Sequence, residues 1–374
     1  FSNKLSFANT YIKRIYGAAP KSKNNKKDKY YGERNALYYS GNYNFDLDNS
    51  IVFGFEREDD EMGYNPDLSG TSYEHSYTES KYFDFQKRFS KNIYATFGSR
   101  FDEHSVAGNE EAHRATFAYL LDNKTTKIKG SIGTGFRFPS LYEMYYVYGA
   151  SKSGSSGVTN SSLPFVKAEN SLGFDFGIEK FFSNLNINLE ATYFNLKYED
   201  ALEGWEIGNS SGINYTTQNM PGTVKSQGIE IISNWVKNDS LNFNLNYTYT
   251  STYDGAEQDD PDKSSSYYNA QLVRVPRHLI NINTIYFPKN IQNTKFTLSS
   301  KWADTARDYG NGNRTFSDER TDDFFVNDLS INHNLFNKYN IFLDITNILD
   351  EKYETVRDYS QLGRSFNFGI KQDF

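Results

Sequence analysis

Five histidines, His75, His104, His113, His278 and His333, are the side chains best suited to metal ligation or proton transfer in this sequence. None stands at the i, i+4 spacing by which a helix offers two imidazoles to one metal. No nucleophile, base and orienting acid fall into a visible group either, so the sequence predicts neither a metal nor a catalytic residue. Gly130, Gly133 and Gly135 suggest a phosphate-binding loop, but they do not fit G-x-G-x-x-G and no helical pattern follows them. They read as glycines easing a curved strand. Acidic clusters at Glu58-Asp59-Asp60-Glu61, Asp259-Asp260-Asp262 and Asp322-Asp323 could offer oxygens to a hard cation. Their simpler reading is solvated loops. With no cysteine, disulfides and thiolate metal sites are excluded.

Binding is better represented than catalysis. Tyr145, Tyr146, Tyr148, Trp205, Tyr267, Tyr268 and Tyr309 fall in segments that read as long loops. Aromatic side chains bury a large area at small entropic cost, which suits capture of a bulky, scarce ligand. The charge of −7 is mild and forms no basic stripe, so nucleic acid is not an expected partner, and nothing calls for a cofactor.

The elements that must carry these loops show a two-residue period. From Leu241 to Thr250, Leu241, Phe243, Leu245, Tyr247 and Tyr249 share one face, while Asn242, Asn244, Asn246, Thr248 and Thr250 share the other. Leu185 to Tyr193 repeats the pattern. Tyr and Phe number 30 each, yet mean hydropathy is −0.73. That combination suits a sheet that is apolar outside and wet inside. No run of about 18 apolar residues offers a transmembrane helix.

About 16 strands can be counted, and their links alternate short and long. Short links fall near Asp46–Asn49, Ser90–Lys91, Asp122–Thr125, Ser183–Asn184, Lys237–Ser240, Pro288–Asn293 and Phe336–Lys338. Long ones fall near 17–28, 59–70, 103–111, 137–170, 204–212, 251–275, 308–322 and 350–364. Tight turns at one end and long loops at the other mark an all-β, antiparallel, up-and-down transmembrane barrel of a Gram-negative outer membrane. The apolar face meets lipid, with Tyr39, Tyr43, Tyr193, Tyr249 and Tyr286 as an interfacial girdle and lipopolysaccharide beside the outer loops. Ser140–Tyr146 reads as a short helix packed under the rim.

Several motifs then carry a resemblance. Gly135-Phe136-Arg137-Phe138-Pro139-Ser140-Leu141-Tyr142-Glu143-Met144-Tyr145 looks like G-F-R-A-P-S-L-Y-E-L-Y. Ser162-Leu163 followed by Lys167-Ala168-Glu169-Asn170-Ser171 and Gly177-Ile178-Glu179 resembles N-L-K-P-E-x-S…E-x-G-x, with Ala168 in place of Pro and residues inserted after Leu163. Asn219, Gly222 and Ser226-Gln227-Gly228-Ile229-Glu230 resemble N-x-G…x-x-G-V-E. Arg274-Val275-Pro276-Arg277-His278 is similar to R-x-P-x-H. Asn347-Ile348-Leu349-Asp350-Glu351-Lys352-Tyr353-Glu354, Leu362-Gly363-Arg364 and the final Phe374 resemble N-L-F-D-K-x-Y-E, P-G-R and a terminal assembly signal. Together these resemble the TonB-dependent outer-membrane receptors, over Gly135–Phe374; Phe1–Thr134 matches in rhythm alone. The last hairpins look closest to the vitamin B12 and small-siderophore branch.

The resemblance implies a monomeric transporter, not an enzyme, with a cobalamin or ferric siderophore as ligand. It implies a 22-stranded barrel filled by a plug that engages the TonB complex. Residues 1–374 are then expected to be a C-terminal barrel fragment lacking the plug and about six strands. Two other readings remain: a free-standing 16-strand diffusion porin, and an outer-membrane hydrolase with a Ser/His/acid set at one strand end.

Overall fold

The computed structural model describes residues 1–17, 27–65, 72–121, 124–145, 166–209, 212–219, 222–254, 271–310, 315–336 and 338–372. Its strands are β1 (Ser2–Gly17), β2 (Lys27–Asn44), β3 (Ser50–Asn65), β4 (Ser72–Arg88), β5 (Ile93–His104), β6 (Gly108–Leu120) and β7 (Thr126–Arg137). A one-turn helix α1 (Leu141–Tyr145) follows, then β8 (Glu169–Phe182), β9 (Ile187–Glu199), β10 (Leu202–Asn209), β11 (Gly212–Asn219), β12 (Thr223–Asn238) and β13 (Leu241–Asp254). The chain continues through β14 (His278–Tyr286), β15 (Thr294–Ala303), β16 (Ala306–Gly310), β17 (Thr315–Thr321) and β18 (Phe324–Leu335). It closes with β19 (Tyr339–Thr346), β20 (Glu354–Val356), β21 (Tyr359–Ser360) and β22 (Ser365–Gln372).

Sixteen of these strands form one antiparallel sheet, β1-β2-β3-β4-β5-β6-β7-β8-β9-β12-β13-β14-β15-β18-β19-β22, each beside its neighbour in the chain. The expected strand count and up-and-down order are both found. The remaining strands are three two-stranded hairpins, β10-β11, β16-β17 and β20-β21, all inserted at the long-loop end. The register holds the alternation across the whole wall. Ile187 pairs with Trp235, Trp235 with Phe243 and Phe243 with Thr284, so the outward face stays largely apolar from strand to strand. The next rung inward joins Asn188, Asn234, Asn244 and Asn283, a wet face with no need of apolar side chains.

Several loops expected from polar composition are strand. The link placed at 103–111 is a three-residue turn, Ser105–Ala107, because β5 runs to His104 and β6 starts at Gly108. Glu58-Asp59-Asp60-Glu61 lies inside β3. The β2 strand has 18 residues, far more than the 9–11 that cross a bilayer, so these hairpins stand well clear of it, where a strand may be charged on both faces. Glu58 and Asp60 pair with Arg34 on the inner face, and Asp59 pairs with Arg57 on the outer.

Among the described residues, β1 pairs with β2 alone and β22 with β19 alone. Outward side chains on these two edge strands are accordingly barer: Phe7 is 73 % and Phe368 66 % exposed, against 43 % for Phe174 inside the wall.

Candidate functional site

Motif residues of the sequence gather at the long-loop end, where they brace the loop bases. Arg137, at the end of β7, reaches Glu143 on α1 at 3.0 Å and also pairs with Glu169 at the start of β8. Glu169 in turn accepts the Leu202 N–H of β10 at 2.6 Å. One guanidinium thus ties four elements, using the planar fork that suits two carboxylates at once.

The helix α1 begins with a reciprocal cap. Glu143 accepts from Ser140 N and Oγ, each at 2.8 Å, and Ser140 Oγ accepts the Glu143 N–H at 3.2 Å. This is the S-x-x-E capping box, which satisfies two otherwise orphaned donors. Burial pushes the Glu143 carboxyl up, but the Arg137 and Ser140 hydrogen bonds outweigh it and hold the group below the usual carboxylate range. Tyr142 lies against Tyr30 of β2, ring centroids 6.1 Å apart. The helix packs against β3, β4 and β11, as expected for a segment under the rim.

Further braces follow. Asn219 donates to the Lys167 and Asp200 carbonyls at 3.0 and 2.8 Å and accepts the Lys167 N–H at 2.6 Å. Asp308, fully buried at the base of β16, accepts from Arg274 Nε at 2.9 Å and from the Arg357 N–H at 2.7 Å. Pro276 sits in the link into β14, where the neighbouring Arg277 carbonyl accepts the Thr250 N–H at 2.8 Å. Asn347, 3 % exposed and in the left-handed region at φ 50°, exchanges side-chain hydrogen bonds with the backbone of Glu351, both at 2.8 Å. Asp350 accepts the Arg364 N–H at 2.8 Å, and a Cβ on Gly363 would stand 2.8 Å from the same carboxylate. Tyr353 packs at a tilt on Phe324, centroids 4.6 Å apart, against the small cluster of Ala303, Phe324 and Val326. Lower in the wall, Gly228 lies under the Phe194 ring, and Glu230 faces the lumen beside it. Phe374 lies outside the described residues.

Of the loop aromatics, Tyr145 ends α1 half-buried, and burial, with Glu74 nearby, pushes its phenol up. Trp205 and Tyr309 fall on hairpin strands β10 and β16. Tyr146, Tyr148, Tyr267 and Tyr268 lie outside the described residues, as does the Asp259–Asp262 cluster. No described group of three or more His, Asp or Glu could hold a metal ion.

Sequence spacing missed a set of hydroxyl–imidazole pairs that only cross-strand register creates. Ser99 Oγ meets His113 Nδ1 at 2.9 Å, Tyr247 meets His278 Nδ1 at 2.9 Å, and Thr294 meets His333 Nδ1 at 2.8 Å. The first also has Glu111 at 3.7 Å from His113 Nε2. That contact is too long for the hydrogen bond that orients a catalytic base, and Ser99 is only 6 % exposed. All three pairs tie neighbouring strands of the wall together.

The family profile described as "TonB dependent receptor-like, beta-barrel" matches residues 2–348. No curated protein matches the sequence. Among solved structures, a ferric enterobactin receptor mutant from Pseudomonas aeruginosa is similar at 16 % identity and TM-score 0.77, over 100 % of this chain and 59 % of that one. A copper transporter, OprC, matches at 12 % identity and TM-score 0.76, covering 100 % and 62 %. The ferripyoverdine receptor of the outer membrane of Pseudomonas aeruginosa matches at 15 % and 0.70, covering 100 % and 54 %. The chain therefore spans between about half and three-fifths of the length of these structures, and at such identities the likeness is one of fold.

Proposed function

Because the chain belongs to the TonB-dependent receptor-like β-barrel family, we propose that it forms the wall and capture loops of an outer-membrane transporter for a scarce, bulky ligand. Residues 1–374 act as one barrel domain and work as a monomer. The ligand is of the ferric-siderophore or cobalamin kind, and the siderophore alternative gains support from the two solved siderophore receptors above. Entry is powered by the TonB complex acting through a plug in the lumen. No step of this process needs covalent chemistry from the wall.

The observation that carries this reading is the contrast between the two ends of the sheet. One end has seven tight turns; the other has every hairpin insertion and every loop-base brace from Arg137 to Asn347. Long outer loops are general to outer-membrane barrels; here their bases are braced, as capture loops held on a rigid wall require.

Uptake of labelled ferric siderophores and cobalamin by cells lacking and regaining the native gene tests the proposal. Saturable uptake that a protonophore abolishes is expected. Unsaturable flux of small solutes, indifferent to the protonophore, would replace the receptor with the diffusion porin.

A further inference from the structure

The tight-turn end carries a chemistry of its own. Its seven links hold four Lys against four Asp, and the strand ends that flank two of them add Lys87 and Arg88 of β4 and Lys237 of β12, in a chain whose net charge is −7. Among them, Lys87, Lys237, Lys289 and Lys338 are exposed. Three of the four stand over aromatic rings of the same rim: Lys87 over Phe89 at 5.2 Å, Lys237 over Trp235 at 5.7 Å and Lys338 over Tyr339 at 5.9 Å. No described carboxylate pairs with any of the four, whereas Arg88 is engaged by Asp48 at 2.7 Å.

Bulky apolar side chains sit between these cations. Leu47 is 104 % exposed and Phe336 82 %, and Phe89, Leu185 and Ile291 are exposed too. In water such turn tips would be costly, since apolar surface left wet carries a free-energy penalty that grows with its area. They continue the outward apolar belt through Tyr43, Phe45, Trp235, Phe243, Tyr286 and Phe296, whose rings meet in pairs near the same turns, edge-on, stacked and tilted in that order. An apolar tip flanked by a long cation is how a surface lies in a bilayer interface, stem and ring among acyl chains and ammonium among phosphates.

We propose that the tight-turn rim is an anionic-phospholipid collar, with turn tips inserted at the acyl boundary and Lys87, Lys237, Lys289 and Lys338 binding headgroup phosphates. The opposite end is mixed in sign: its outward wall carries Asp59, Glu79, Glu103 and Glu111 with Arg57 and Lys81, and there Lys13 and Lys225 also stand over rings, those of Tyr31 and Tyr253. The collar would fix the depth of the barrel and its orientation in an asymmetric bilayer. It rests on the membrane-spanning part of the function proposed above, and says nothing of the ligand.

Native mass spectrometry of the protein purified from its own membrane, exchanged into micelles doped with phosphatidylglycerol or phosphatidylcholine, tests the collar. Preferential retention of phosphatidylglycerol is expected. A basic residue at an anionic surface contributes about fivefold, so changing all four lysines to Gln lowers the preference at least tenfold, and changing them to Arg preserves it. Equal retention of the two lipids, or a preference untouched in the Gln variant, would overturn the collar while leaving the transporter reading intact. Failure to incorporate into bilayers of either lipid would overturn both.

Discussion

Arg137 and Glu143 lie on either side of the Pro139 corner, six residues apart, and meet through one guanidinium nitrogen and both carboxylate oxygens at 3.1 and 3.0 Å. The contact folds α1 back onto the end of β7, so the long link to β8 leaves the wall from a fixed base. Replacing Arg137 with Gln removes the charge from both Glu143 and Glu169. The Arg137 side chain is half exposed, so solvent screening limits the loss to about 1 kcal/mol. Thermal unfolding in detergent should show this small decrease. Limited proteolysis in the β7–β8 link should rise much more, because the loop base and not the wall is loosened.

Acid should release the same base. Glu143 sits below the ordinary carboxylate range in the folded protein, chiefly because its Arg137 and Ser140 hydrogen bonds outweigh burial. A carboxyl depressed by folding contributes stability that is full above its unfolded value, roughly pH 4.3, and is lost as pH falls through the folded value. Hydrogen exchange at Ser140–Tyr145 should therefore stay protected above that unfolded value and lose protection only as pH falls beneath it. Glu143→Gln should abolish the step; a step that persists in that variant would assign it to another group.

Legibility in the sequence depended on where the water is. The Leu241–Thr250 alternation became β13 because lipid on one side and lumen on the other force a strict period there. Above the bilayer both faces are wet, the constraint lapses, and Glu58–Glu61 or Glu103–Glu111 read as loops although they are strand or tight turn. The short helix expected at Ser140–Tyr146 is a local element, closed in the structure by its own capping box, and it is found as Leu141–Tyr145. The braces at Asp308 and Asn219, like the Ser99–His113 pair, join residues 14 to 52 positions apart and exist only through register. Motif resemblance located Asn219, Asn347 and Gly228 without showing what they hold.

Gly228 offers a direct test of packing. A Cβ there would stand 1.9 Å from the Tyr249 carbonyl oxygen and 2.7 Å from the Phe194 ring. The ring could turn aside, but the oxygen belongs to the ladder between β12 and β13 and can move only if that pairing opens. Overpacking a side chain alone costs about 1–3 kcal/mol, and a backbone collision adds to it. Gly228→Ala should leave little heat-modifiable, folded barrel on cold gel electrophoresis, whereas Gly32→Ala, where a Cβ meets nothing within 4 Å, should fold normally.

Asn347 combines two demands that separate variants can pull apart. Its φ of 50° favours Gly or Asn, while its side chain both donates to and accepts from Glu351, and its own N–H reaches Asp328 at 2.7 Å. Ala loses both side-chain bonds, leaves the half-buried Glu351 N–H without its acceptor and adds Cβ strain. A cost of about 3 kcal/mol follows, from roughly 1–3 for an unmet buried group and 1–2 for the left-handed backbone. Gly loses the same bonds but not the conformation, so it should unfold later than Ala by about 1 kcal/mol. Asp keeps the acceptor but places a negative charge near Asp328. It should recover towards wild type only below about pH 4, where a protonated carboxyl can donate again. Urea titrations of the three variants in detergent would rank them, and an Ala variant as stable as Gly would mean that the side-chain bonds, and not the backbone, hold this turn.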